Sequence, residues 1–240
     1  MERIDKIKGT YQLRTEKKGH PQPKREVSNA VVHRLPRYHR YLGQLLRENV
    51  LRISSGELAE RMGVTASQIR QDLNCFGGFG QQGYGYHVQY LYETIGELLG
   101  ASEEYSAVFV GCGHLGHSLV ESAMLERRGI RKLAIFEVDP EKIGKTVAGL
   151  PVLDYQQMEA WCKAHGVTIG ILSVPHEQAM AAAEKLANAG VRGIWNFSDT
   201  ELDLRIPGVE IENMHLSDAL LSLCYRLRTR SIANEQGGEQ

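Results

Sequence analysis

The sequence predicts an α/β protein in two parts, an N-terminal winged helix-turn-helix followed by a Rossmann-type, doubly wound parallel sheet with a closing helix. Three observations carry that expectation. Two short stretches, each opened by a capping signal, meet at Gly63 in a helix-turn-helix pattern. A run in which glycines alternate with aromatic and amide residues follows, from 76 to 88. Such a run is a poor helix and a plausible hairpin, hence a wing. From residue 107 short apolar runs alternate with amphipathic stretches, and the first strand-to-helix turn reads Gly111-Cys112-Gly113-His114-Leu115-Gly116.

In chain order, residues 1–27 show little periodicity and contain Pro21 and Pro23, which makes them a mobile arm. A helix is predicted over 35–50, with Tyr38, Tyr41, Leu42, Leu45 and Leu46 at helical spacing and Pro36 tolerated in the first turn. Ser54 and Glu57 form a capping box for a helix over 55–62 that Gly63 stops. Thr65 and Gln68 repeat the signal for a helix reaching about residue 73, with Ile69 and Leu73 inward. The wing and a linking helix over 89–100 complete a winged-helix domain at 28–100. The second domain, 101–214, is predicted to hold strands at 107–110, 133–138, 168–174 and 193–197, with a further short strand near 209–212. Its helices are predicted at 113–128, 155–165 and 176–189. Residues 216–230 form a last helix whose leucines are too many to leave in water, so it should dock on something. Residues 231–240 read as a disordered tail.

Composition and charge narrow the function. In 240 residues, 42% are hydrophobic and 24% charged, which is ordinary for a globular protein and excludes collagen-like or largely disordered chains. The four cysteines are scattered with no CxxC, so neither a zinc site nor a disulfide framework is supported and a reducing cytoplasm is the simple reading. No apolar run reaches the ~18 residues of a membrane span. The net charge of −1 conceals an asymmetry. Residues 1–27 carry eight Lys/Arg against four Asp/Glu, whereas 101–240 carry 13 against 19. A basic front on an acidic body suits a DNA-binding N-terminal half, and equally a solvated tail.

Two constellations carry chemistry. In the glycine loop, Gly111 permits the tight turn, Gly113 lets backbone approach a pyrophosphate, and Gly116 lets helix pack on strand. The amides around Cys112, His114 and Leu115 then face phosphate. An acidic residue is expected ~20 positions later; Glu137 and Asp139 stand there, suited to ribose hydroxyls and hostile to a 2′-phosphate, which favours NAD(H). Ser173, Val174 and Pro175 follow the strand at 168–174 and lie at the carboxyl edge of the sheet, while Asn196 and Phe197 end the next strand on the nicotinamide side. In the helix-turn-helix, Ser67, Gln68, Arg70 and Gln71 point outward and can reach base edges. Arg52 and Arg61 can neutralise phosphates, with Gln82 and Tyr84 contributing from the wing. His114, His165, His176 and His215 are the candidate proton carriers, and none sits in a catalytic motif. Little chain is left after the dinucleotide fold for a substrate domain, so sensing is favoured over catalysis; an NAD-dependent enzyme with an accessory winged helix is the contrary reading.

The run SSGELAERMGVTASQIRQDLNCFGGFGQQGYGYHV, followed by VGCGHLGHSL, FEVDPEKIG, SVPHEQA, AGVRGIWNFSDTEL and VEIENM, resembles the Rex family of redox-sensing transcriptional repressors over about 35–228. The resemblance implies a homodimer on palindromic double-stranded operator DNA, sensing of the NADH/NAD⁺ ratio, and release of DNA on NADH binding. It also implies that the C-terminal helix is swapped onto the partner subunit, which would account for its apolar face. Three positions depart from the family pattern. Gln71 stands where a Lys is common in the recognition helix. Arg40 matches the Arg of an interdomain network whose Tyr and Asp positions are taken by Ser122 and His215. Leu216 stands where a Phe packs near the nicotinamide. These departures leave open a DNA-binding paralogue with a weakened or lost NADH response, and His215 introduces a candidate pH sensitivity.

Overall fold

The structure is a computed structural model that describes residues 4–7, 10–13, 27–76, 80–81, 85–203 and 208–237; for 4–13, 80–81 and 231–237 it describes backbone alone. The chain divides into two compact units, 1–102 and 103–240.

The first unit begins with strands β1 (Ile4–Ile7) and β2 (Thr10–Leu13), which pair antiparallel, and β2 pairs in turn with β3 (Val27–Ser28). The expected mobile arm is corrected to that extent: two of its segments form a hairpin. Helix α1 (Asn29–Arg47) starts six residues before the expected position, behind Ser28 in extended conformation. Val31, Leu35, Tyr38, Leu42 and Leu45 form its buried stripe, alternating four and three residues apart as one helix face requires. Pro36 lies inside this helix rather than in its first turn. Its ring sits on the exposed side of the helix, away from the core.

After β4 (Arg52–Ile53), helix α2 (Ser55–Met62) has the expected capping box. Ser54 Oγ accepts from the Glu57 amide and Glu57 returns a carboxylate to the Ser54 amide. Gly63 takes the left-handed conformation that ends the helix, at φ 64°. Helix α3 (Ala66–Asn74) is capped by Thr65 from one side only, because the Gln68 side chain turns to Asp72. Strands β5 (Gly80–Gln81) and β6 (Gly85–His87) pair antiparallel, and β6 pairs with β4 on its other side. At Gly85 φ is +68° and a Cβ would meet the Ile53 carbonyl oxygen at 2.6 Å, so only glycine fits where the wing crosses β4. Helix α4 (Val88–Leu98) packs on α1, and the buried faces of α1 to α4 share one core.

The second unit holds β7 (Tyr105–Val110), α5 (His114–Glu121), β8 (Ile130–Glu137), β9 (Thr146–Val147), β10 (Leu150–Asp154), α6 (Met158–His165), β11 (Ile169–Leu172), α7 (His176–Asn188), β12 (Gly193–Asn196), β13 (Glu210–Asn213) and α8 (Leu216–Gly237). The sheet order is β13-β12-β11-β7-β8-β10-β9, parallel throughout except for the β9–β10 hairpin. Numbered by their own succession, the six parallel strands run 3-2-1-4-5-6, the dinucleotide-binding order. Along β7 the side chains alternate between two cores, Val108 and Val110 toward α6 and α7, Ala107 and Phe109 toward α5.

Three expectations are corrected here. The helix predicted to reach residue 128 ends at Glu121. Ser122 Oγ accepts the Met124 amide, and Lys132 Nζ donates to the carbonyls of Val120 and Ser122, so the helix end is satisfied from outside. Strand β10 lies where no strand was expected, and it contains Pro151, which an interior strand does not tolerate. Pro151 is tolerated because it pairs with the two-residue edge strand β9, across a turn in which Ala148 and Gly149 both have positive φ. The tail expected to be disordered from 231 continues α8 to Gly237. Among the described residues no helix is long and apolar enough to cross a membrane.

Candidate functional site

Strands β7 and β11 are neighbours, and the helices that follow them, α5 and α7, pack on opposite faces of the sheet. Their carboxyl ends therefore flank the crevice where the strand order reverses, which is where α/β sheets of this kind hold ligands. The glycine loop spans that crevice, and each glycine has its own constraint. Gly111 has φ +90°, and a Cβ there would lie 2.7 Å from the Ser173 carbonyl oxygen. A Cβ on Gly116 would lie 2.4 Å from the Gly111 carbonyl oxygen and 2.6 Å from Ser173 Oγ. A Cβ on Gly113 would meet nothing within 4 Å. The first two glycines are demanded by the fold, whereas Gly113 keeps open the space in front of α5. Gly113 is also the N-cap and has no side chain with which to cap, so the first amides of α5 point into that space. This cradle fits a pyrophosphate.

The flanks of the loop are held by side chains. Ser173 Oγ donates to the carbonyls of Gly111, at 3.1 Å, and Val110, at 3.4 Å. Glu137, only 8% exposed, accepts the Cys112 amide at 2.8 Å with one oxygen and the Val138 and Asp139 amides with the other. Burial pushes this carboxyl up, but the three amides and the Lys142 ammonium outweigh burial and hold it below the usual carboxylate range. Asp139 is half-buried, accepts the Glu141 amide and lies 3.6 Å from Lys142 Nζ. Cys112 is buried, and burial with the nearby Glu137 pushes its thiol up, away from reactivity. His114 and Leu115 are exposed, Val174 is half-buried, and exposed Pro175 is the N-cap of α7. Val138, Tyr155 and Gln178 join Gly111 and Glu137 around a small hollow beside the loop. Sequence reasoning missed these three; Tyr155 follows β10, a strand that was not expected.

Two expected liners are placed differently. Asn196 is fully buried and its amide is engaged by Thr200, Asn213 and Ser198. It staples a loop and does not face the crevice. Phe197 is half-buried against Trp195, at 4.5 Å between ring centroids. Of the departing positions, Arg40 lies over the Tyr41 ring and Ser122 caps the end of α5. His215 contacts Glu201 at 2.6 Å, and Leu216 is 62% exposed.

In the first unit Ser67, Arg70 and Gln71 are exposed along α3, and Arg70 Nη1 donates to Ser55 Oγ. Gln68 is half-buried, its amide given to Asp72 at 2.8 Å. Arg52 is exposed, while Arg61 is paired with Glu48 at 2.8 Å. Gln82 and Tyr84 lie outside the described residues. The group that sequence reasoning missed is Asp72. It is 1% exposed and accepts Arg34 through two bonds, at 2.6 and 2.8 Å, and Tyr38 at 2.7 Å. Burial raises its carboxyl, but Arg34, Tyr38 and Gln68 more than reverse this and leave it below the usual range. Asp72 thus ties the exposed helix to α1.

The first unit has the helix-turn-helix arrangement of DNA-binding domains, and the second has the strand order and glycine cradle of dinucleotide-binding ones. Family models match each unit. Residues 26–74 match the family "Putative DNA-binding protein N-terminus", and residues 102–200 match "CoA binding domain". The redox-sensing transcriptional repressor Rex of Thermoanaerobacter pseudethanolicus is 45% identical over 90% of this chain and 96% of its own length. That of Caldicellulosiruptor saccharolyticus is 42% identical over 90% and 99%. Among solved structures, the repressor RSP in complex with β-NAD⁺ and operator DNA is 44% identical with a TM-score of 0.79, over 90% of this chain and all of that one. RSP in complex with β-NADH is 42% identical with the same TM-score, over 88% and 98%. The chain belongs to the Rex family of redox-sensing transcriptional repressors.

Proposed function

We propose that this protein represses transcription by binding double-stranded operator DNA as a homodimer, and that NADH, in competition with NAD⁺, releases it. The observation that carries the reading is the open cradle at Gly113, set between two glycines the fold demands, in a chain related to a repressor solved with NAD⁺, with NADH and with operator DNA. Ser67, Arg70 and Gln71 read base edges from α3, with Gln68 oriented by Asp72, and Arg52 and the wing contact phosphate. The amides from Gly113 to Gly116 hold the pyrophosphate. Asp139 and Glu137 face the adenosine ribose, and the hollow beside Tyr155 takes the base. The dinucleotide brings a nicotinamide whose redox state is the signal; the chain's own groups bind and orient it and transfer nothing. A transcriptional repressor works beside the DNA, in the cytoplasm.

Uncovered apolar surface supports dimerisation. In α8, Leu216, Leu220, Leu221 and Leu227 are each more than half exposed. Ile169, Trp195 and Phe197 are only partly buried on the sheet face that α5 covers. A second copy of α8 laid on that face satisfies both. Release by NADH requires that it bind the DNA-incompetent form more tightly than the competent one, and operator must then weaken NADH by the same factor. Fluorescence anisotropy on a palindromic operator tests this at fixed salt. Release by NADH and not by NAD⁺ is expected; binding indifferent to both would leave a repressor without this signal.

A further inference from the structure

A continuous chain of polar contacts runs from the crevice loop to the root of α8. His176, the first residue of α7 and next to Pro175, meets Thr200 twice, ring to hydroxyl at 3.1 Å and hydroxyl to carbonyl at 3.3 Å. The Thr200 carbonyl accepts from Asn196 Nδ2 at 2.7 Å, and the same Nδ2 donates to Asn213 Oδ1 at 2.8 Å. Asn213 Nδ2 donates to Glu201 Oε1 at 3.2 Å, and Glu201 Oε2 meets His215 Nε2 at 2.6 Å. His215 immediately precedes α8, and its carbonyl accepts the Asp218 amide. Asn196 is buried at the middle of this chain and is held from the side by Ser198, while the contacts at both ends are exposed.

We propose that Glu201 and His215 form a positioning clasp that sets the direction of α8 according to the state of the loop beside the cofactor crevice. The inference rests on the reading of α8 as the dimer helix. Among the described residues the charges that act on His215 are acidic: Glu201, which it contacts, and Asp199 from the 198–203 loop, and Asp218 from α8 itself. With three carboxylates around it, the imidazole keeps its proton to a higher pH than an ordinary histidine, Glu201 being the main cause. The charged clasp is therefore complete at lower pH, and it loses its ion pair as pH rises through that elevated value. A part-exposed contact of this kind shifts an equilibrium modestly, so the clasp tunes the coupling and does not create it.

The test uses the full chain and reads the ratio of operator Kd with and without saturating NADH across pH 6 to 8.5. In the wild type this ratio is expected to fall about fivefold as pH rises. Glu201→Gln should give a low and pH-independent ratio. His215→Lys, which keeps the positive charge at every pH, should restore a high and flat one. A merely structural role predicts loss of stability in the variants with the wild-type pH profile retained. A wild-type ratio constant across this range, or a Glu201→Gln profile parallel to the wild type, overturns the clasp. If NADH releases no form of the protein, the proposed function fails, and the clasp is then read from dimer dissociation by sedimentation. Weakening with pH in the wild type and not in Glu201→Gln supports it; parallel profiles overturn it.

Discussion

Single side chains separate the fold from the site with unusual clarity at the three glycines. Gly116→Ala drives a methyl into the Gly111 carbonyl and Ser173 Oγ, so a loss of about 1–3 kcal/mol is expected from overpacking, together with loss of NADH binding. Gly113→Ala touches nothing within 4 Å, so its denaturation midpoint should stay near wild type while NADH affinity, read by fluorescence titration, falls at least tenfold. Equal effects on stability and binding at the two sites would contradict this division. Asp72 invites a second residue-scale test. Asp72→Ala leaves Arg34 and Tyr38 facing an empty buried position, and about 3 kcal/mol should be lost in chemical denaturation. The pH sign follows from its depressed carboxyl. The group contributes stability above the carboxyl's unfolded value, and that contribution disappears as pH falls through the lower folded value. The wild type should thus lose stability in acid more steeply than Asp72→Ala.

At the scale of elements, local signals and long-range contacts act together. Helix α2 is specified by its own ends: removing the cap with Ser54→Ala should cost about 1 kcal/mol in thermal or denaturant melts. Helix α3 has only half a box, because Gln68 is drawn to Asp72, and its position depends on α1 as much as on its own cap. Thr65→Ala should therefore also cost about 1 kcal/mol, yet weaken operator binding less than Arg70→Ala, which removes the charge of the proposed base reader from an exposed position. Gel-shift titration of both variants decides; a larger binding loss for Thr65→Ala would mean that the ends, and not Asp72, hold the reading helix. Helix α5 is bounded by a glycine at one end and by Lys132, ten residues beyond Ser122, at the other.

For the molecule as a whole, the exposed leucines of α8 are the deciding feature. Leu220→Glu with Leu227→Glu alters side chains already more than half exposed, so the monomer should stay folded. The proposed dimer, measured by sedimentation, should dissociate, and operator binding should fall with it, since one half-site contact replaces two. A double variant that remains dimeric would place the interface elsewhere.

Much of this organisation was legible in the chain. The capping box at Ser54, the stop at Gly63, the glycine loop and the βαβ alternation are local patterns whose physics is complete within a few residues, and they determined the ends of α2, the strand-to-helix turn and the exposed face of α3. Tertiary structure decided the rest. Strand β10 contains Pro151, which only an edge hairpin makes tolerable. Asn196 looked like a liner and is a buried staple, because its partners come from Thr200 and Asn213. Asp72, unremarkable in sequence, became the anchor of the reading helix once Arg34 and Tyr38, more than thirty residues away, closed on it. Short-range preference is written residue by residue, whereas a buried polar group takes its role from distant partners that only the folded chain brings within hydrogen-bond reach.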